Sequence, residues 1–452
     1  MDPTNQDVPR VTFREALWVW CRVAARSFGG PTAQIAVMHR ILVDEKRWVS
    51  EHRFLHALNY CMLIPGPEAT QLATYIGWLL HGTRGGMVAG TLFVLPGFVA
   101  LMVLSIIYAL YQETPLLAAL FFGLKPAVAA IVAEAVVHIG RRVLKNWLMV
   151  AIAAAAFVAI FFFHAPFPAI IAAAGILGLV GGHYWPQTFH VIKQNQAGDE
   201  PERAVDRAAV VQSVSLSQTI AVAAVWLLIW WVPIGVLAWH FGPQSVFVTE
   251  GLFFSQAAVI TFGGAYSVLP YISQAAVNRF RWLSLPEMLD GLGMAETTPG
   301  PLIMVVQFVG FMAAFRNPGD LPPLLAGVLG ACVTVWVTFV PCFLWIFVGA
   351  PYVERMRGSR LLSSALSAIT AAVVGVVLNL AVWFMLQTLF PSPRTATLES
   401  VIPQVGSFSP ASLLIATVAA VVLLVWKRGM FAALGICAAL GMVLYALGLA
   451  DK

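Results

Sequence analysis

Charge is what this chain carries least. Asp, Glu, Lys and Arg make up 10% of its 452 residues, against 60% hydrophobic residues, whereas a soluble domain usually carries about 25% charge. A water-soluble chain of this length needs a polar exterior that so few charges cannot supply, which excludes a soluble fold and leaves a bilayer as the expected solvent. Cysteine is sparse too. Cys21, Cys61, Cys332, Cys342 and Cys437 are scattered without a CxxC pair, so no disulfide framework is indicated and they read as small apolar filler. There is no GxxxxGK followed by Ser or Thr, no Gly-rich dinucleotide turn and no GxSxG. ATP hydrolysis, a nucleotide cofactor and a serine nucleophile are thereby excluded, and no catalytic residue is expected. His52 and His56 have ligand spacing but lack an HExxH or further Cys/His ligands, so no metal site is expected. The start MDPTNQDVPR lacks the basic end and apolar core of a cleaved signal peptide. The net charge of +5 is spread among loops, which suits anionic lipid headgroups and is too dilute for nucleic acid.

What the chain does have is long uncharged runs. Residues 87–111, 208–239, 321–353, 361–393, 400–426 and 429–450 contain no Asp, Glu, Lys or Arg, and neither do the shorter 147–163 and 165–182. Residues 116–140 are apolar with two interior charges, Lys125 and Glu134. A membrane helix needs roughly 20 such residues, so nine spans are expected. Alternation of period two is absent, which argues against a β-barrel. The expected fold is an all-α polytopic membrane protein.

The chain also repeats itself. Phe28-Gly29-Gly30 recurs as Phe262-Gly263-Gly264, Trp48 as Trp282, and Pro65-Gly66-Pro67 as Pro299-Gly300-Pro301, each 234 positions on. Pro96 and Pro341, and Glu134 and Asn379, pair at 245 positions. Three markers in one ungapped register point to two homologous modules. The expected organisation is a first module at 1–183, a polar cytoplasmic linker at 184–207, an extra membrane helix at 208–240 and a second module at 241–452. Lys and Arg favour the cytoplasmic side of short loops. They switch sides between matched loops: Arg355, Arg357 and Arg360 answer a loop at 112–115 without Lys or Arg, while Arg141, Arg142 and Lys145 answer a loop with only Arg394. This predicts an inverted-topology repeat, with the N-terminus inside, the C-terminus outside and 9–13 crossings, depending on whether 12–82 and 246–316 span or re-enter.

The unusual segments precede the long spans. Gly29-Gly30-Pro31 and Pro65-Gly66-Pro67 should break helices, since Gly is permissive and Pro lacks a donor; Gly263-Gly264 and Thr298-Pro299-Gly300-Pro301 repeat them. Broken helices inside a membrane leave amides that only protein or a watery cavity can satisfy, and helix N-termini offer those amides to anions. The alternative is that the Gly pairs serve close helix packing and the prolines only kink helices. Beside the breaks stand Gln34, Glu68, Gln71, Glu296 and Gln307. Glu68, Glu296 and the intramembrane Glu134 are candidate proton carriers, with capping of the next helix as the other reading of Glu68. Lys125 is a candidate anion contact, with snorkelling as its alternative.

The runs FGGPTAQIAVMHRILVDEKRW, LIPGPEATQLATYIGWLLHGTRGGMVAG and FVLPG, with FGGAYSVLPY and TTPGPLIMVVQFVGF in the second half, resemble the chromate ion transporter family in its long two-domain form. The resemblance implies a bacterial inner-membrane secondary transporter that exports chromate, driven by protons or membrane potential, and it makes the FGGP and PGPE-x-x-Q segments the binding-site candidates. Ala265 stands where Pro31 does and Leu302 where Glu68 does, so the halves depart from equality. Uptake or exchange of sulfate, a dianion of the same shape, and a passive anion channel remain alternatives. The expected partners are a chromate- or sulfate-like oxyanion and membrane lipids, with a homodimer as an open arrangement.

Overall fold

Thr12 opens the first helix: its hydroxyl accepts the Glu15 N–H at 3.3 Å, which satisfies one of the amides a helix start leaves bare. Helix α1 (Phe13–Arg26) buries Ala16, Val19, Trp20 and Val23, a stripe spaced three and four apart, and stops at the Gly-Gly pair. In this computed structural model the described residues are 11–185, 188, 215–262, 264–352, 360–390 and 407–449. The 184–207 linker expected from the sequence therefore lies almost wholly outside the described residues, as does Gly263.

After the Gly-Gly break come α2 (Gly30–His39), a π-helical turn (Arg40–Glu45), α3 (Glu51–Leu63), the Pro-Gly-Pro break and α4 (Glu68–Tyr111). α4 is two helices in one: His81 and Gly82 leave helical geometry, Gly82 with φ 61. Next follow α5 (Pro115–Val143), α6 (Trp147–Phe163), α7 (Phe167–Tyr184) and α8 (Leu216–Phe241). The second half opens with α9 (Val246–Ile260), then α10 (Ala265–Gln274), a second π-helical turn (Ala275–Arg279) and α11 (Leu285–Thr297). A 3₁₀ turn (Leu302–Met304), α12 (Val305–Arg316), α13 (Pro323–Gly349), α14 (Arg360–Leu389), α15 (Pro410–Ala420) and α16 (Met430–Ala446) complete it. Among the described residues there is no strand, and the all-α expectation holds.

Each of the nine expected apolar stretches is mostly helical where described. Among the described residues, six helices are long and apolar enough to cross a membrane: Glu68–Tyr111, Pro115–Val143, Phe167–Tyr184, Leu216–Phe241, Pro323–Tyr352 and Ser363–Leu389. Trp147–Phe163, Pro410–Val425 and Met430–Ala446 are shorter apolar helices. Five of the helices beside the breaks are shorter again, with 10 residues in α2, 13 in α3, 10 in α10, 13 in α11 and 12 in α12. At 1.5 Å per residue none exceeds about 20 Å, against a hydrocarbon core of about 30 Å.

The repeat is visible in the backbone as well as in the letters. Arg47 and Arg281, 234 positions apart, both take a left-handed φ of 54 just after a π-helical turn. There Trp48 N–H donates to Leu42 O at 2.9 Å and Trp282 N–H to Ala276 O at 2.8 Å. Both indoles are buried, which accounts for the recurrence of tryptophan at this spacing. One hydrophobic cluster joins α4, α5 and the second half; another gathers α1, α2, α3 and the start of α4 around Phe343, Ile346 and Phe347 of α13. α8 lies on the outside. It touches the body through Trp226, stacked on Phe343 at 5.4 Å, and exposes Leu216, Ile220, Leu228 and Trp239, as a lipid-facing helix does.

Candidate functional site

The breaks of the two halves bond to each other. Gly66 N–H, in the first Pro-Gly-Pro turn, donates to Thr261 O before the second Gly-Gly break at 2.7 Å. Gly300 N–H, in the second such turn, donates to Ser27 O before the first Gly-Gly break at 2.8 Å. Thr261 and Ser27 are themselves 234 positions apart, so the exchange is reciprocal. Each turn needs glycine, since Gly66 has φ 125 and Gly300 φ 97, where a Cβ is strained. Each is also braced by a proline-bearing helix of the other half. A Cβ on Gly300 would lie 3.2 Å from Gly97 Cα, beside Pro96 of α4, and one on Gly66 3.3 Å from Cys342 Sγ, beside Pro341 of α13.

Four helical segments start at this crossing: α2, α4, α10 and the 3₁₀ turn leading into α12. Among the described residues none has a side-chain cap; the residues before them are Gly29, Pro67, Gly264 and Pro301. α1, α3 and α6, by contrast, are capped by Thr12, Ser50 and Asn146. The uncapped starts keep first-turn amides and a partial positive charge available. One hydroxyl joins them. Thr70 Oγ1, on the first turn of α4, is fully buried and has no partner among the described residues.

The carboxyls meet the glycines of the opposite half. A Cβ on Gly264 would sit 3.3 Å from Glu68 Oε1, and one on Gly30 3.6 Å from Tyr266 Oη. Tyr266 donates to Glu296 Oε1 at 2.7 Å, and Glu296 Oε2 is left without a partner among the described residues. Glu134, on α5, is partly buried. Each of the three glutamines commits one of its two amide donors. Gln34 Nε2 donates to Gly300 O at 2.6 Å, Gln71 Nε2 to Pro65 O at 2.6 Å and Gln307 Nε2 to Phe98 O at 2.9 Å. They hold the turns and helices in place, and their free atoms, the three Oε1, are acceptors. All three glutamines are 0% exposed, while Gly29, Pro31, Pro65 and Pro299 beside them are partly exposed. An open cleft lies elsewhere, between His164, Ser273, Gln274 and Asn379, at the other end of α10.

The structure therefore brings together Gly29, Gly30, Pro31, Gln34, Pro65, Gly66, Pro67, Glu68, Gln71, Gly264, Glu296, Thr298, Pro299, Gly300 and Pro301, with Gln307 at the edge through Phe98. Lys125 stands apart. Its Nζ is 3.5 Å from Asp290 Oδ2, and Tyr108 donates to the same oxygen at 2.8 Å. Thr70, Tyr266 and Asp290 had not been singled out in the sequence. For Thr70 the available signal was its place three residues past Pro67; for Asp290, an acid within an apolar helix.

Against known proteins, a family model described as chromate transporter matches residues 14–179 and 249–442, which takes in most of both halves. The chain belongs to the chromate transporter family. It is similar to a probable chromate transport protein of Synechococcus elongatus, 28% identical over 386 residues that cover 85% of this chain and 88% of the other. A chromate transport protein of Pseudomonas aeruginosa is 29% identical over 389 residues, with 83% and 82% covered. Another, from Cupriavidus metallidurans, is 26% identical over 373 residues, with 82% of each covered. No solved structure matches. With its long apolar helices, the chain is a multi-pass membrane protein of a transporter family.

Proposed function

We propose that this chain is a secondary transporter that carries chromate out of the cytoplasm across the bacterial inner membrane, and so confers resistance to chromate. The observation that carries the reading is the reciprocal pairing of Gly66 with Thr261 and of Gly300 with Ser27, which gathers four uncapped helix starts into one buried place. Unpaired amides there, with the Thr70 hydroxyl, stand in for the water around a tetrahedral dianion. The relatives named chromate transport proteins support chromate as that dianion.

In this reading Glu68 and Glu296 carry the coupled proton. Two ionised carboxylates beside a dianion repel it, so each is neutral while the oxyanion is seated, and the Tyr266 hydroxyl holds Glu296 in place. The halves, bounded at 1–183 and 241–452 and joined through 184–207 and 208–240, lie in opposite orientations. The switch of Lys and Arg between matched loops supports this, and it places the N-terminus in the cytoplasm and the C-terminus in the periplasm. The short helices beside the breaks re-enter, each contributing half a span.

The test is flux of labelled chromate in proteoliposomes, with sulfate as competitor and with or without an imposed proton gradient. The expected result is chromate movement that sulfate inhibits and the gradient accelerates. Chromate movement indifferent to the gradient would remove proton coupling, and no movement of either anion would remove the transport reading.

A further inference from the structure

Two ion pairs lie one turn apart on α11, and they are built differently. Glu287 is saturated: Arg316 donates to both of its oxygens and also to Trp282 O, while Ser284 donates to Oε2 through both its amide and its hydroxyl at 2.7 Å. That is how a pair with a structural task is satisfied. Asp290 is buried, yet its Oδ1 has no partner among the described residues. Its Oδ2 receives Tyr108 at 2.8 Å and lies 3.5 Å from Lys125 Nζ, a loose separation. An ammonium has three donors, and Asp290 is the one partner Lys125 has among the described residues.

The setting makes this slack informative. Lys125 is about ten residues into α5, roughly 15 Å along its axis, and so near the middle of the membrane. A charge there is costly unless compensated. The Lys125 side chain is 29% exposed while that of Asp290 is 5% exposed, so the cation is the reachable member. Lys125 and Tyr108 belong to the first half and Asp290 to the second. On α11, Asp290 lies about 12 Å before the C-cap Thr298, two residues ahead of Gly300, which puts the pair one step from the helix crossing.

We infer that Lys125 is a second oxyanion station on the route to the crossing, and that Asp290 is its resident counter-ion, which an arriving tetrahedral dianion displaces. This rests on the transport reading and extends it to a residue pair outside the crossing. A dianion offers two or more oxygens to the two ammonium donors that Asp290 leaves unused, and its double charge outbids a single carboxylate. The displaced Asp290 keeps the Tyr108 hydrogen bond, so it is not stripped bare. When the anion moves on, Asp290 closes on Lys125 again, and the membrane interior never holds an unpaired cation.

A competitor and a ligand give effects of opposite sign. Titration calorimetry of chromate, and separately of sulfate, into the purified full-length protein is expected to show Asp290→Asn binding at least fivefold more tightly than wild type. Lys125→Gln should bind at least tenfold more weakly, with Asp290→Glu near wild type. A merely structural pair would weaken binding in both Asp290→Asn and Lys125→Gln. Asp290→Asn binding no more tightly than wild type overturns the inference, and should that variant not fold, Asp290→Ser must show the same gain. If wild type neither binds nor moves chromate or sulfate, the transport reading falls. In that case the appearance of binding in Asp290→Asn still supports the station, and its absence overturns it.

Discussion

Where the first half carries Glu68, the second carries Leu302; where the second carries Glu296 and Asp290, the first carries Met62 and His56. Lys125 and Glu134 are likewise answered by Thr370 and Asn379. The backbones agree closely by contrast, down to the paired Arg47 and Arg281 and the reciprocal bonds of Gly66 and Gly300. Main-chain geometry repeats because both turns solve the same problem, that of ending a helix with its last carbonyl satisfied. Side-chain charge does not repeat, which fits the proposed reading, in which one dianion in one place needs one arrangement of protons and counter-ions.

The first way to break this comparison is at the shared backbone, where the largest effects are expected. Gly300→Leu and Gly66→Leu should each abolish chromate flux, since the positive φ alone costs about 1–2 kcal/mol and crowding about 1–3 kcal/mol more. With alanine the two should separate. Gly300→Ala should lower the melting temperature more, because its Cβ meets the backbone of Gly97, whereas the nearest atoms at Gly66 are the Gln71 and Cys342 side chains. Equal melting temperatures would mean that the turns are not braced as described.

Next come the unshared charges. Glu68→Gln and Glu296→Gln should each cut gradient-driven chromate flux at least tenfold while leaving exchange without a gradient largely intact. Met62→Gln, at the repeat position of Glu296, should alter neither. Flux assays under both conditions decide, and an equal loss from all three would return the carboxyls to a packing role. A smaller effect belongs to Thr70→Val, whose partner position is Met304. Losing one hydroxyl donor should raise KM for chromate roughly five- to tenfold, in line with about 1 kcal/mol for a hydrogen bond, with kcat unchanged. The smallest concerns Ser50 and Ser284, also 234 positions apart. Alanine at either should cost about 1 kcal/mol of stability as a lost cap, seen as a lower melting temperature with transport kinetics unmoved.

Much of this was legible in the sequence because it is written in residue types with few uses. Glycine and proline clusters inside apolar runs mark helix breaks, and a fixed spacing between three such markers disclosed the repeat. The positions of the breaks and the helices after them, from Glu68 and near Leu302, followed from the same signals. What could not be read was which groups meet across the halves. Gln34 and Gln71 looked like donors for an anion, but one of the two amide donors of each is taken by a backbone carbonyl, Gly300 O or Pro65 O, a pairing that only the folded turn creates. Lys125 stood out as a membrane charge, yet its partner Asp290 is 165 positions away in the chain, on a helix whose repeat signal lay elsewhere.

The reciprocal bonds also bear on what a fragment of this protein can be. A chain with only the first half would keep the Gly66 amide without its acceptor and the Ser27 carbonyl without its donor, and a chain with only the second half would have the matching deficits. Each half is thus the missing partner of the other, so two separately made pieces placed in one membrane have a built-in reason to find each other and rebuild the transporter.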